Sequence, residues 1–214
     1  MRVSTVKDLN NQGKNLSPEQ IIEMVSGLSV NPILTTKFGP QSIYLIDIVV
    51  KILPDIQVVW IDTGFNTAQT IEFAHSVIDE YKLNINIFRP DFDIQRKYSK
   101  DAIHRMAEDE RLQFIEDIKI EPFKRALQQI SPDFWFTGIR EEQTAYRKTL
   151  DVFSSYSKNI VRVAPLYKLG SNEVLRDMAR RRLRSEVHYL DITKRNGHSE
   201  CGIHFPISCF EKQL

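Results

Sequence analysis

Thiols are scarce in this chain. Cys201 and Cys209 are the only cysteines among 214 residues. Two cysteines cannot build a disulfide framework for a domain of this size, so a reducing compartment is expected. They also exclude a four-cysteine zinc or iron–sulfur site within one chain. A mixed set of His198, Cys201, His204 and Cys209 can be written down, but it has no paired ligand spacing. Net charge is equally lacking, at +1, which removes any global polyanion-binding signature. No apolar run approaches the length of a bilayer span. The opening MRVSTVKDLNNQGKNLSPEQ has no apolar h-region and does not read as a signal peptide, so a cytoplasmic protein without a membrane partner is expected. Repeats, low-complexity tracts and linkers are absent as well.

What is present is an ordinary globular composition, 42% apolar and 27% charged, in a chain long enough for one α/β domain. Ser17 followed by Pro18 reads as an N-cap with proline at the first helical position, opening a helix through IIEMVSGL. Ile33–Leu34 lead into a Thr/Gly turn, and SIYLIDIVVKIL reads as a helix ending at Pro54. A buried strand over 56–62, a helix over AQTIEFAHSVIDEYK and a strand at NINIFRP follow. Residues 93–119 are charged, lack glycine and proline, and read as helical. EPFKRALQQI reads as an amphipathic helix from about Pro122, DFWFTGIR as a strand into a glycine turn, and NIVRVAPL as a last strand. SNEVLRDMARRRLRSEVHYL reads as a strongly basic helix N-capped by Ser171. The tail from Asp191 has no period. Strands alternating with helices predict an α/β fold, a mainly parallel twisted sheet with helices on both faces. The expected division is an α/β domain over 1–190 and a mobile C-terminal tail over 191–214.

Ligands of open parallel sheets bind beyond the carboxyl ends of the strands. Three segments are expected there: TTKFGPQS (35–42), DTGF (62–65) and TGIREEQTAYR (137–147). The first offers hydroxyls, a glycine turn, helix N-terminal amides and Lys37 to an anion, although it lacks the Walker A pattern; an ordinary βα turn reads equally well. Asp62 in the second can bond a ribose hydroxyl or simply cap its own turn, and turn chemistry favours the cap. In the third, Arg140 and Arg147 share a face about two helical turns apart if Glu141 onward is helical. Paired guanidiniums suit phosphate or sulfate, but taken alone the segment reads better as a solvated face paired with Glu141 and Glu142. Arg180, Arg181, Arg182 and Arg184 form a local positive patch. It has no aromatic interleaving, so nucleic acid is not expected as a partner.

Five ordered segments resemble one family. ECGIH (200–204) is similar to the E-C-G-L/I-H tail signature of the phosphoadenylylsulfate (PAPS) reductases of sulfate assimilation, within the PP-loop superfamily of adenine nucleotide α-hydrolase-like folds. TTKFGPQS resembles that family's modified PP-loop, with Lys37 where a small residue is usual. DTGF, KIEPFKRAL (119–127) and WFTGIREEQTAYR match three further segments. The resemblance implies a Rossmann-like PP-loop fold and an oxidoreductase that reduces 3′-phosphoadenylylsulfate to sulfite and adenosine 3′,5′-bisphosphate. In this reading the thiolate of Cys201 attacks sulfur to give a Cys–S–sulfonate, and reduced thioredoxin or glutaredoxin releases sulfite. His204 is implied beside the thiolate. Thr35, Thr36, Lys37, Gly39, Gln41, Asp62, Gly64, Lys119, Gly138, Arg140, Gln143 and Arg147 are the implied nucleotide-binding residues. No metal or bound cofactor is implied. Relatives that reduce adenylylsulfate carry a Cys-Cys pair and a C-x-x-C for an iron–sulfur cluster, and neither occurs here. Family members are often dimers, so a homodimer is an expectation from the resemblance alone.

The chain also departs from the pattern. Between Leu166 and Glu200 it is shorter than typical members and lacks their H-P-L-W/Y loop, which normally lies near the substrate. Cys209, eight residues after Cys201, can be read as a resolving thiol or as a packed tail residue. The alternative function is a repurposed PP-loop nucleotide-binding protein without reductase activity, either adenylating or tied to a DNA- or sulfur-modifying system.

Overall fold

The computed structural model describes residues 5–103, 105–193 and 203–204. Helix α1 (Val6–Gly13) is capped by Thr5, whose hydroxyl accepts from the Asp8 amide. Helix α2 (Pro18–Ser26) starts at a reciprocal box in which Ser17 Oγ accepts from the Gln20 amide at 3.2 Å and Gln20 Oε1 accepts from the Ser17 amide at 2.9 Å. This satisfies two otherwise orphaned donors. The chain then alternates through β1 (Ile33–Thr36), α3 (Ser42–Ile52), β2 (Gln57–Ile61), α4 (Ala68–Tyr81) and β3 (Asn84–Phe88). After α5 (Phe92–Lys97), α6 (Lys100–Ile103), α7 (Glu108–Ile115) and α8 (Glu121–Ile130) come β4 (Phe134–Phe136), β5 (Phe153–Ser155), β6 (Val161–Val163) and α9 (Ser171–Arg180).

Among the described residues six strands form one sheet, ordered β3-β2-β1-β4-β6-β5. All pairings are parallel except β5 with β6. The alternation of side chains along each strand divides the core. Leu34, Val58, Trp60, Phe136 and Val163 pack with residues of α2, α3, α4 and α9. Their neighbours Ile33, Val59 and Trp135 face the other way, onto Phe123, Ala126 and Leu127 of α8. Both sheet faces are therefore covered by helices, which is why the strands read as continuous apolar runs. From β1 the sheet grows outward through β2 and β3 on one side, and from β4 through β6 and β5 on the other, so a topological switch lies between β1 and β4.

Several expectations need correction. Helix α1 and strand β5 were not foreseen. They support each other: Asn10 of α1 donates to the Phe153 carbonyl at 2.8 Å and accepts from the Phe153 amide at 2.9 Å, occupying the edge of the sheet. The charged stretch 93–119 is broken into short helices. Tyr98 leaves α5 in extended geometry and turns its ring edge-on to Phe114, with centroids 4.9 Å apart. The basic helix ends at Arg180 rather than running to Leu190. Arg182 adopts φ 55° and Leu183 N–H bonds back to the Met178 carbonyl, a left-handed helix stop built without glycine. Its N-cap is Gly170, with Ser171 the first helical residue.

Candidate functional site

Beyond the carboxyl ends of β1 and β4 lies a cavity of about 420 Å³, a size suited to a small-molecule ligand. Its first wall is the turn from β1 to α3. Phe38 takes φ 50°, a left-handed conformation that is costly for a residue with a Cβ. Its ring is fully buried against Trp60, with centroids 5.0 Å apart, which holds that geometry. The Phe38 amide donates to Thr36 Oγ1 at 3.1 Å and the Gly39 amide to Ser42 Oγ at 2.9 Å. A Cβ on Gly39 would lie 3.1 Å from Lys37 Cε and 3.3 Å from the Tyr189 ring, so the turn is tight there. No side chain caps α3, and Pro40, Gln41 and Ser42 at its start line the cavity. Thr35, Thr36 and Lys37 line it too. Thr35 Oγ1 accepts from Trp135 Nε1 at 2.8 Å, and Lys37 Nζ sits 4.6 Å from the Tyr189 ring centroid.

The opposite wall continues from β4. Thr137, Gly138, Arg140, Gln143 and Arg147 line the cavity. Instead of a helix from Glu141, the chain forms two single 3₁₀ turns, Glu141–Gln143 and Arg147–Thr149. The arginines nevertheless meet, through Gln143. Its Oε1 accepts from the Arg140 amide at 3.0 Å and from Arg147 Nη1. Arg140 donates to Gln41 at 2.6 Å, to Ser171 at 2.8 Å and to Glu142 at 3.3 Å. Both guanidiniums are buried, at 4% and 6% exposure.

Lys119 reaches the same cavity from a π-helical turn, Glu116–Ile120, between α7 and α8. One inserted residue of this kind rotates a side chain out of helical register and is frequent at functional sites. Lys119 Nζ donates to Thr193 Oγ1 at 2.9 Å and lies 3.4 Å from Asp191 Oδ2. The 183–193 segment is thus strapped across the cavity. Ser185 Oγ donates to the Pro40 carbonyl at 2.9 Å, and the buried Glu186 accepts from Thr70 Oγ1 at 3.2 Å. Tyr189, Leu190, Asp191 and Ile192 line the opening.

Asp62 and Gly64 serve the architecture of the loop after β2. Asp62 accepts from Arg89 Nε at 2.8 Å, from Asn66 Nδ2 at 3.0 Å and from the Gly64 amide at 3.2 Å. Gly64 supplies φ 80°, where a side chain would be strained. The residues this turn presents to the cavity are Thr63 and Asn66.

His204 comes to the same place from the C-terminal segment. Its ring stacks on Trp135, with centroids 5.6 Å apart and planes 5° apart. Burial pushes the imidazole well below the usual histidine range, and Arg147, Arg162, Lys119 and Lys37 push it the same way. The ring is therefore neutral near pH 7. Cys201, with Cys209 and His198, lies outside the described residues. Among the described residues, no group of three or more His, Cys, Asp or Glu side chains is arranged to hold a metal ion, and no helix is long and apolar enough to cross a membrane.

Sequence reasoning missed Thr63, Asn66, Trp135, Tyr146, Arg162 and the whole 183–193 strap. One signal was available: Arg162 is a charge between two valines of a strand, an odd place for a solvated group.

Comparison with known proteins fits this arrangement. Residues 31–189 match the profile of the phosphoadenosine phosphosulfate reductase domain. A phosphoadenosine 5′-phosphosulfate reductase from Synechococcus sp. is 31% identical over 158 residues, 69% of this chain and 65% of that relative. One from Serratia proteamaculans is 29% identical over 171 residues, 78% of this chain and 68% of that relative. The chain therefore spans about two thirds of the length of these relatives. In fold it resembles the crystal structure of a phosphate complex of the Candida auris PAPS reductase, with a TM-score of 0.73 at 21% identity, covering 86% of this chain and 90% of that one. The profile match spans about three quarters of the chain: the chain belongs to the phosphoadenosine phosphosulfate reductase domain family.

Proposed function

We propose that this chain reduces 3′-phosphoadenylylsulfate to sulfite and adenosine 3′,5′-bisphosphate. The observation that carries this reading concerns two orphaned atoms. Among the described residues, the buried side-chain polar atoms without a hydrogen-bond partner are Arg140 Nε and His204 Nδ1. Both belong to residues that line the cavity. A buried unpaired donor is costly, and an anionic ligand at this place relieves the Arg140 Nε–H, and His204 Nδ1 as well in the neutral tautomer that carries its proton there. Lys119, Arg140, Arg147 and Lys37 supply positive charge for a phosphosulfate and a further phosphate, in a low-dielectric site where each charge counts for more than in water. Thr35, Thr36, Gly39, Gln41, Gly138 and Gln143 shape the phosphate cradle, and Asp62 and Gly64 hold the turn that presents Thr63 and Asn66.

In this reading residues 1–190 bind the nucleotide and 191–214 supply the thiol. The Cys201 thiolate forms an S–S bond to the sulfonate sulfur. The sulfur–oxygen bond breaks, and its electron pair leaves on the phosphate of adenosine 3′,5′-bisphosphate. A thiolate of reduced thioredoxin or glutaredoxin then attacks Cys201 Sγ and expels sulfite. Its second thiol resolves the mixed disulfide, so the dithiol supplies both electrons. Neutral His204 beside the cation cluster can accept a hydrogen bond without adding a competing positive charge.

Sulfite release from 3′-phosphoadenylylsulfate and from adenylylsulfate, with reduced thioredoxin, tests the reading in the native chain and in Cys201→Ser. Sulfite from the 3′-phosphorylated substrate alone, abolished by the substitution, is the expected result. Nucleotide binding without sulfite from either substrate overturns it in favour of a repurposed nucleotide-binding protein.

A further inference from the structure

Arg162 lies in the centre of β6 and is 1% exposed. In register it sits beside Trp135 of β4 and Ser154 of β5. Its Nε donates to Ser154 Oγ at 2.9 Å, and its Nη1 donates to the backbone carbonyl of His204 at 2.6 Å. The Tyr146 hydroxyl donates to the same carbonyl at 3.0 Å. Trp135 lies flat beneath the His204 ring. The indole is itself fixed by its bond to Thr35 and by ring contacts to Phe123 and Tyr156, with centroids 4.9 Å and 5.0 Å away. Three side chains from three segments thus converge on one residue of the C-terminal segment.

We propose that Arg162, Tyr146 and Trp135 form a dock for the C-terminal segment at His204, and that Arg162 and Tyr146 are positioning residues for the thiol chemistry. The assignment rests on the reductase reading for its catalytic consequence, but the dock stands on the contacts themselves. A guanidinium inside an apolar sheet is costly unless its donors are used. Here one edge of it is spent on β5 and another on the tail, a two-directional grip that the point charge of a lysine cannot reproduce. The carbonyl that receives it takes a charge-assisted bond and a neutral one together, near the saturation of its two lone pairs. Because the grip is on backbone, it sets the register of the segment independently of the His204 ring. Cys201 precedes His204 by three residues in the sequence. Three residues of chain extend about 10 Å at most, so holding the His204 carbonyl limits the thiol to that reach of it. Confinement of a nucleophile near its target is what turns an encounter into an effectively unimolecular step.

The test uses the full chain and the variants Tyr146→Phe and Arg162→Lys. Three quantities are measured: hydrogen–deuterium exchange of the peptide containing His204, the Kd of adenosine 3′,5′-bisphosphate, and the single-turnover rate of Cys201 S-sulfonation by 3′-phosphoadenylylsulfate. For Tyr146→Phe we expect faster exchange, sulfonation slowed about three- to tenfold, and a Kd within about twofold of the native value, as for loss of one neutral hydrogen bond. Arg162→Lys should slow sulfonation about ten- to a hundredfold, as for loss of a bond from a charged donor. In steady state the loss should fall on kcat and leave KM for the sulfonucleotide unchanged. Unchanged exchange in Tyr146→Phe overturns the dock. Faster exchange with unchanged sulfonation, or sulfonation that falls only in step with nucleotide affinity, overturns the positioning role. Should Arg162→Lys fail to fold, Tyr146→Phe decides alone. Absence of sulfonation in the native chain overturns the reductase reading and with it the positioning role, while the exchange arm still decides the dock.

Discussion

Two basic regions of this molecule look alike in sequence and behave oppositely in the fold. The end of α9 and the residues after it concentrate Arg180, Arg181, Arg182 and Arg184 within five residues. The cavity collects Lys37, Lys119 and the pair Arg140 and Arg147 from three separate segments of the chain. In the first region the charges are answered by carboxylates: Arg181 by Glu19 at 2.5 Å and Asp47 at 3.3 Å, Arg184 by Glu80, and Arg180 by Asp177. In the second, Gln41, Ser171, Gln143 and Thr193 supply neutral partners alongside the carboxylates of Glu142 and Asp191. A neutral amide or hydroxyl orients a guanidinium without cancelling its charge. The density of arginine along the chain is therefore a poor guide to an anion site; what marks the site is buried charge to which neutral groups contribute hydrogen bonds.

The comparison can be broken by substitution. The largest effect is expected at Arg140. Arg140→Ala should weaken binding of adenosine 3′,5′-bisphosphate about ten- to a hundredfold in titration calorimetry, as for loss of charged hydrogen bonds. An unchanged Kd would remove the distinction between the two regions. Next comes Arg181→Ala, which withdraws one cation from Asp47, a carboxylate only 2% exposed. Lys51 at 2.7 Å and the Tyr81 hydroxyl at 3.2 Å remain, and Arg181 itself is about a third exposed. A loss of about 1 kcal/mol in thermal or urea unfolding is expected, with nucleotide affinity unchanged. The smallest effect is Arg184→Ala, whose exposed pair with Glu80 should be worth less than about 0.5 kcal/mol in the same unfolding measurement.

A pH series sharpens the contrast further. His204 is held neutral in the docked state, with its pKa below the ordinary value of 6.5. The undocked or unfolded state therefore binds the proton first as pH falls. Docking is at full strength above about pH 6.5 and weakens below it. Exchange of the His204 peptide should rise as pH falls below that value, after correction for intrinsic exchange. His204→Gln should flatten the dependence. Retention of the slope in that variant would assign it to another group.

How much of this was legible follows from what each feature depends on. Ser17 and Pro18 announced α2 because a cap is a local bargain between a side chain and the next few amides. The β1–α3 turn, the β2 strand and β4 were legible because apolar runs and turn residues lie in sequence order. The break at Tyr98 was not, since it depends on Phe114 being present to receive the ring. Arg182 ends the basic helix in a conformation that glycine usually signals, so no residue type marked it. Arg140 and Arg147 were paired for the wrong geometrical reason: they meet through Gln143 and two short turns, not on one helix face.

The sequence by itself determined the α/β alternation, the three strand-end loops and the family, because all rest on local pattern and ordered motifs. Only the tertiary structure decided which arginines face a ligand, that Asp62 spends its oxygens on Arg89 and its own turn, and that the 183–193 strap and His204 close on the cavity from a distant part of the chain. Those outcomes depend on which charges are desolvated together and on which neutral groups are near enough to hold them. Neither is a property of any segment taken alone.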